Sequence, residues 1–273
     1  LLTNIADFYT LRKEQLLPLE RDPATGFTGT AINIGKIRTR GAEFQATVTP
    51  VSTASGFEWT STLNWGMYRT TVVELGGGLE EVVIAGFTDL GNFAIPGQPF
   101  NIIKGIGFDR DPATGQPIIL SNGVHKPTNE PVVLGDPNPA FVTSLINTFN
   151  YKKFSLNVMV SYRHGGAIYS STAGALLGRG LSIESGPETG YDRAQTFVFP
   201  GVKADGTPNN IQITGSDVYF NNVFFFGDEG RMYDGSTVRL QEVSLSYSLP
   251  KTFLKRFGIK GASLSLSGNN LWY

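Results

Sequence analysis

His125 and His164 are the only imidazoles in 273 residues, and there is no cysteine. Neither histidine has a second at the His-x-x-x-His spacing that would turn two rings onto one metal. Disulfides, thiolate zinc sites and cysteine nucleophiles are excluded together, although lack of Cys does not identify a compartment. No Gly-x-Ser-x-Gly elbow, P-loop or paired-histidine motif occurs. Gly76-Gly77-Gly78 has no strand-to-helix setting around it and reads as a loop tip. Asp109-Arg110-Asp111 before Gly115 opens like a calcium loop, but the third acidic position and the distant Glu are missing. The surrounding Arg-Asp-Pro-Ala-Thr-Gly occurs twice, at 21–26 and 110–115. Asp-Pro followed by Thr-Gly is tight-turn chemistry, so both copies are expected to be turns. The residues give no support to an enzyme, a metal site or a cofactor.

What remains is the chemistry of contact. Tyr219, Phe220, Phe224, Phe225 and Phe226 crowd one connecting segment. Such rings can stack on sugar faces or pack against a partner, or they can simply stabilise their own loop. Arg163 and His164, beside Gly165-Gly166 at a strand end, offer either a second contact point or a solvated loop start. Aromatic residues make up 12% of the chain and charged ones 16%, against about 25% charged in soluble domains. A formal net charge of −1 argues against nucleic acid as a partner. Low charge with many rings suits a β-rich chain touching something less polar than water.

The elements that would position these residues alternate with period two. Ala42, Phe44, Ala46 and Val48 oppose Glu43, Gln45, Thr47 and Thr49. Phe57, Trp59, Leu63, Trp65 and Met67 oppose Glu58, Thr60, Thr62, Asn64 and Tyr68. Phe154, Leu156, Val158, Val160 and Tyr162 oppose Ser155, Asn157, Ser161 and Arg163, with Met159 interrupting the polar side. Leu264 and Leu266 oppose Ser263, Ser265 and Ser267. The strands so read span 40–51, 57–73, 154–169 and 262–268, with less regular ones over 5–12, 141–151 and 237–249. The last changes phase near Gln241-Glu242, as a β-bulge would make it. A short helix is expected over 170–179, capped by Ser or Thr, and a hairpin over 100–120.

Several strands exceed the usual five or six residues and reach the ~9–11 of a membrane strand. The joints alternate: 13–35, 76–139 and 170–236 are long, and 52–56, 152–153 and 250–261 are short. In an up-and-down sheet this puts every long loop at one end, as in outer-membrane barrels. No run of 18 apolar residues provides a membrane helix, and residues 1–30 do not read as a signal peptide. Seven strands is an odd number, whereas single-chain bacterial barrels have an even one. The chain is therefore expected to be part of a longer protein.

Specific stretches resemble SusC/RagA-type TonB-dependent transporters. Leu134-Gly-Asp-Pro-Asn-Pro139, Leu145-Ile-Asn-Thr-Phe149 and Tyr151-Lys-Lys-Phe154 are similar to a segment that leads into a barrel strand of that family. Asp234-Gly-Ser-Thr-Val-Arg-Leu-Gln-Glu-Val243, Ser244-Leu-Ser-Tyr-Ser-Leu-Pro250 and Ser267-Gly-Asn-Asn-Leu-Trp272 resemble its late strands. Asn33-Ile-Gly-Lys-Ile-Arg-Thr-Arg-Gly-Ala-Glu43, Gly174-Ala-Leu-Leu-Gly-Arg-Gly180 and Phe199-Pro-Gly-Val-Lys-Ala-Asp-Gly206 extend the likeness in family order. The resemblance implies an all-β fold: about seven long strands of a 22-stranded transmembrane barrel with long extracellular loops. Residues 1–273 would all lie in the barrel domain, with signal peptide, plug and final strands outside the chain. It further implies TonB energisation through that missing N-terminal part, a SusD-like surface lipoprotein as partner, and uptake of oligosaccharides or peptides. The implied setting is the lipid of the outer membrane of a Gram-negative, Bacteroidota-like bacterium. Tyr151, Phe154, Tyr247, Trp272 and Tyr273 would be girdle aromatics. On the residues alone, a passive pore and a secreted carbohydrate-binding domain stay open.

Overall fold

The computed structural model describes residues 2–20, 22–26, 29–187, 192, 194–217 and 227–273. One seven-stranded sheet dominates. Its strands are Leu2–Glu20, Gly29–Ser52, Phe57–Glu74, Phe141–Tyr151, Phe154–His164, Thr237–Ser248 and Ser263–Trp272. They lie side by side in chain order, each antiparallel to the next.

The register turns alternation along each strand into rows across the sheet. Ala46, Leu63, Leu145, Val160, Leu240 and Trp272 are consecutive partners. Phe57, Tyr151, Phe154, Tyr247 and Leu264 form a parallel row beside the short turns. On the opposite face Gln45, Asn64, Ser144, Ser161 and Arg239 are aligned. The phase change in the sixth strand is a bulge: Met159 pairs with Glu242 and Val160 with Leu240, skipping Gln241. The extra residue keeps Val238 and Leu240 on the same face as Val243, Leu245 and Tyr247.

Two expected boundaries move. Residues 13–35 are not a long loop but mostly a continuation of the first two strands, which pair as far as Glu20 and Gly29. Register shifts between Arg12 and Gln15 and between Gln15 and Leu16 break the alternation there, and Pro18 has the look of a breaker. It is tolerated because this strand has only one partner in the described sheet. The fifth strand stops at His164, because Gly165 and Gly166 take φ values of 74° and 91°. Ala167–Tyr169 then pairs with Met232–Asp234 instead. Elongated hairpin and long excursions (75–140 and 165–236) share one end of the sheet, and short turns share the other.

The buried apolar clusters lie in the excursions. Val72, Leu75, Val82 and Ala94 form one at the root of the first excursion. Ile119, Val124, Leu177, Phe199 and Ile213 form another, drawn from both excursions. Val202–Lys203 of the second excursion pairs in parallel with Ile118–Ile119 of the first. His125 is held between the rings of Phe108 and Phe199, each 4.5 Å away. The helix is Ser171–Gly178, capped by Ser170, whose hydroxyl accepts from the Ala173 N–H at 3.1 Å.

Both Asp-Pro copies are turns. Pro23–Thr25 forms a 3-10 turn in which the Asp22 carboxylate accepts from the Ala24 N–H. In the second copy Asp111 accepts from the Thr114 hydroxyl at 2.7 Å and its N–H at 2.9 Å. These bonds, chiefly that from the hydroxyl, hold its carboxyl below the ordinary 3.8. The hairpin around this turn runs from Asp109 to Ile118. Ile102–Gly105 departs from it and joins a four-stranded sheet with Val82–Gly86, Gly91–Ala94 and Val132–Gly135.

Candidate functional site

The polar face of the large sheet carries a hydrogen-bonded ladder between neighbouring strands. Gln45 Nε2 donates to Asn64 Oδ1 at 2.7 Å, and Asn64 Nδ2 donates to Ser144 Oγ at 3.2 Å. Thr47 meets Thr62 at 3.0 Å, Thr39 meets Thr70 at 2.9 Å, and Ser246 meets Ser265 at 2.8 Å. Over this ladder lies an open recess of about 680 Å³, lined among others by Glu43, Gln45, Asn64, Ser144, Ser161 and Gln241. Neutral amides and hydroxyls can solvate a polar solute at many points without trapping it, which suits passage better than catalysis. Among the described residues, no cluster of His, Asp or Glu could hold a metal.

The opposite face is apolar and uncovered. Leu63 and Leu145 are 39% and 41% exposed in mid-sheet, and Leu264 and Leu266 reach 72% and 78% at the edge. Two aromatic bands bound it. The lower is the Phe57–Tyr151–Phe154–Tyr247 row, with Phe154 and Tyr247 4.7 Å apart and Trp59 stacked on Phe149. The upper joins Trp65, Phe141, Tyr162 and His164, with centroids 4.9–6.3 Å apart. From Phe57 to Trp65 is eight residues at about 3.3 Å each; at a tilt of about 40° the bands stand roughly 20 Å apart, near the ~25 Å height of a lipid-facing band. Trp59 also donates its indole N–H to Asn147 at 3.0 Å, which satisfies an amide on the apolar face.

Of the expected girdle residues, Tyr151, Phe154, Tyr247 and Trp272 fall on this face. Tyr273 does not: its ring lies 5.1 Å from the guanidinium of Arg239, a member of the polar row. Arg163 and His164 go separate ways because successive strand residues face opposite sides. Arg163 donates to the Pro137 carbonyl at 2.8 Å and fastens the root of one excursion to the other. His164 joins the upper aromatic band and meets the Tyr162 hydroxyl at 2.9 Å. Tyr219, Phe220, Phe224, Phe225 and Phe226 lie outside the described residues.

The segment just after them is well anchored. Asp228 is 7% exposed. It accepts from the Ile106 N–H at 2.9 Å, from Arg231 at 2.7 Å and from the Tyr169 hydroxyl at 3.3 Å. Glu229 accepts from the Phe108 N–H at 2.8 Å and pairs with Arg110. Burial pushes the Tyr169 phenol above its ordinary 10.0. Gly174 makes room for Arg231: a Cβ there would collide with Cδ of the arginine. Sequence reasoning missed this knot. Its one local sign was the dense Gly227-Asp-Glu-Gly-Arg231 run after the aromatic residues.

No protein-family model matches the chain. It is 25% identical over 97% of its length to TonB-dependent receptor P26 of Formosa agariphila, and 26% identical over 97% to TonB-dependent receptor P3 of the same organism. It spans 27% of the length of each. Its fold matches the RagAB peptide importer in the open-open state with a TM-score of 0.67 and 14% identity, over 98% of this chain and 28% of that one. The closed-closed state gives 0.66, 15%, 98% and 29%. Sequence and fold thus both bear out the resemblance to SusC/RagA-type TonB-dependent transporters. The chain is predominantly β, and its large antiparallel sheet matches a section of the barrel in those structures.

Proposed function

We propose that residues 1–273 form part of the barrel wall of a TonB-dependent transporter in the outer membrane of a Gram-negative, Bacteroidota-like bacterium. The observation that carries this is the two-faced sheet: an uncovered apolar face between aromatic bands, backed by a polar face whose side chains bond across neighbouring strands. In lipid, the first face is solvated by acyl chains and the second lines a wet lumen. No helix among the described residues is long and apolar enough to cross a membrane. The protein moves its solute without covalent chemistry. Movement of a plug outside this chain opens the path, driven through TonB. The excursions form the outer mouth, where a SusD-like surface lipoprotein delivers an oligosaccharide or a peptide. The peptide reading draws support from the likeness to a peptide importer, and the oligosaccharide reading from the aromatic segment.

Tyr219–Phe226 is the proposed contact with substrate or lipoprotein; the tethered Arg163 and band-bound His164 are weaker candidates. Deleting Asn221–Phe226 from the intact transporter will reduce uptake or lipoprotein co-purification while the heat-shifted gel band of a folded barrel persists. Loss of the folded band would make the segment structural packing. Unchanged uptake and co-purification with a folded barrel would equally reject the contact role.

A further inference from the structure

The three short turns, 53–56, 152–153 and 249–262, contain Lys152, Lys153, Lys251, Lys255, Arg256 and Lys260 and not a single carboxylate. The chain as a whole has slightly more acids than bases, so this end of the sheet is sharply distinct. The last turn is ordered. Lys251–Leu254 is a helical turn continued by Lys255–Phe257, and Gly258 closes it at φ 67°. The Ile259 N–H donates to the Leu254 carbonyl at 3.2 Å, and Leu254 is 2% exposed. This fold of the backbone brings Lys251, Lys255 and Lys260 around one recess of about 330 Å³, floored by Gly258 and Ile259. Every ion pair found among the described residues lies elsewhere. Three neighbouring ammonium groups without a counter-charge repel one another, and an anion between them relieves that repulsion.

We propose that this recess binds the phosphate headgroup of an anionic phospholipid at the short-turn side of the membrane. The inference rests on the membrane-spanning reading above. The apolar surroundings select lipid over a soluble anion. Phe253 and Phe257 are half-exposed or more and lie 5.4 Å apart, and Ile259 is exposed beside the lysines. Tyr247 and Leu264, the last members of the lower aromatic row on these two strands, stand one residue inside the Ser248–Ser263 pair that opens into the turn. A phosphate held by the lysines would therefore have its acyl chains directed along a surface already built for lipid. Lys152, over the Tyr151 ring at 5.0 Å, extends the same basic and aromatic character to the neighbouring turn. Clustered basic residues beside apolar side chains are the ordinary means of holding anionic lipid at an interface.

The test uses the intact transporter in vesicles of equal parts phosphatidylglycerol and phosphatidylcholine, with lipid retained after gentle detergent exchange counted by mass spectrometry. The ratio of retained phosphatidylglycerol to phosphatidylcholine should be about ten times that of the vesicle. The variant Lys251→Gln/Lys255→Gln/Lys260→Gln should bring the ratio back to that of the vesicle, while Lys126→Gln/Lys203→Gln in the excursions should not. If the triple variant does not fold, Lys255→Gln alone replaces it and should at least halve the enrichment. No enrichment in the wild type, or full enrichment in the folded variant, overturns the proposal. Competition by inorganic phosphate at equal concentration overturns it too, since the site would then take the anion alone. The heat-shifted band is read on each sample: a folded wild-type barrel without enrichment sinks this site only, whereas absence of a folded barrel in the wild type sinks the membrane reading itself.

Discussion

Asp228 shows how much a single buried carboxylate can organise. It satisfies a backbone N–H from one excursion and a guanidinium and a phenol from the other. Asp228→Ala would leave Arg231 buried without its counter-charge and the Ile106 N–H without an acceptor. Breaking a buried pair in this way costs about 3–5 kcal/mol. Amide exchange at Ile106 and Phe108 should quicken and protease should cut near 227–231, with the barrel strands still protected. Unchanged exchange would mean that the knot holds nothing together. The sequence could not reveal it, because Ile106 and Asp228 are 122 residues apart and no local pattern links them. For the same reason Arg163 and His164 were legible as strand-end residues, while their tethering and stacking partners were not.

Individual strands were readable wherever one face is uniformly apolar. The third, fifth and seventh strands alternate over most of their length, interrupted at Ser61 and at Met159 and, in the seventh, ending at Ser267, and the sixth betrays its bulge by changing phase at Gln241. The first hairpin was lost to the register shifts around Gln15, which scramble a period that has to stay in step to be seen. Facing can be tested on the seventh strand. Leu266→Arg puts a guanidinium on the apolar face two residues further from the turn than Leu264 and should destabilise the inserted barrel by roughly 1–3 kcal/mol, between the costs at the interface and at the bilayer midplane. Ser265→Arg points toward the lumen and should be nearly silent. Folded fraction against urea in lipid vesicles measures both, and equal effects at the two sites would refute the assignment of faces.

At the scale of the molecule, the buried apolar clusters sit in the excursions and at their root, the large sheet contributing only Val72 to them. Water cannot replace the medium that such a sheet needs: Phe57, Trp59, Leu63, Trp65 and Met67 share one face of a single strand, and burying each is worth roughly 1.5–3 kcal/mol. Expressed by itself in plain buffer, this chain should aggregate, and detergent should be needed to keep it dispersed. A monodisperse monomer with a cooperative melt in the absence of detergent would contradict the barrel.

The parallel pairing of Ile118–Ile119 with Val202–Lys203 carries a consequence for the order of events in biogenesis. Between those partners the chain must descend the fourth strand, turn at Lys152-Lys153 and climb the fifth. Closing so long a loop is entropically slow unless the intervening hairpin has already shortened it. The outer cap therefore matures only after that hairpin is in place, and neither excursion can finish alone. Pulsed proteolysis during refolding into vesicles should show the hairpin at 141–164 protected before sites in 113–122 and 200–210. Simultaneous or reversed protection would show that the cap forms independently of the wall on which it stands.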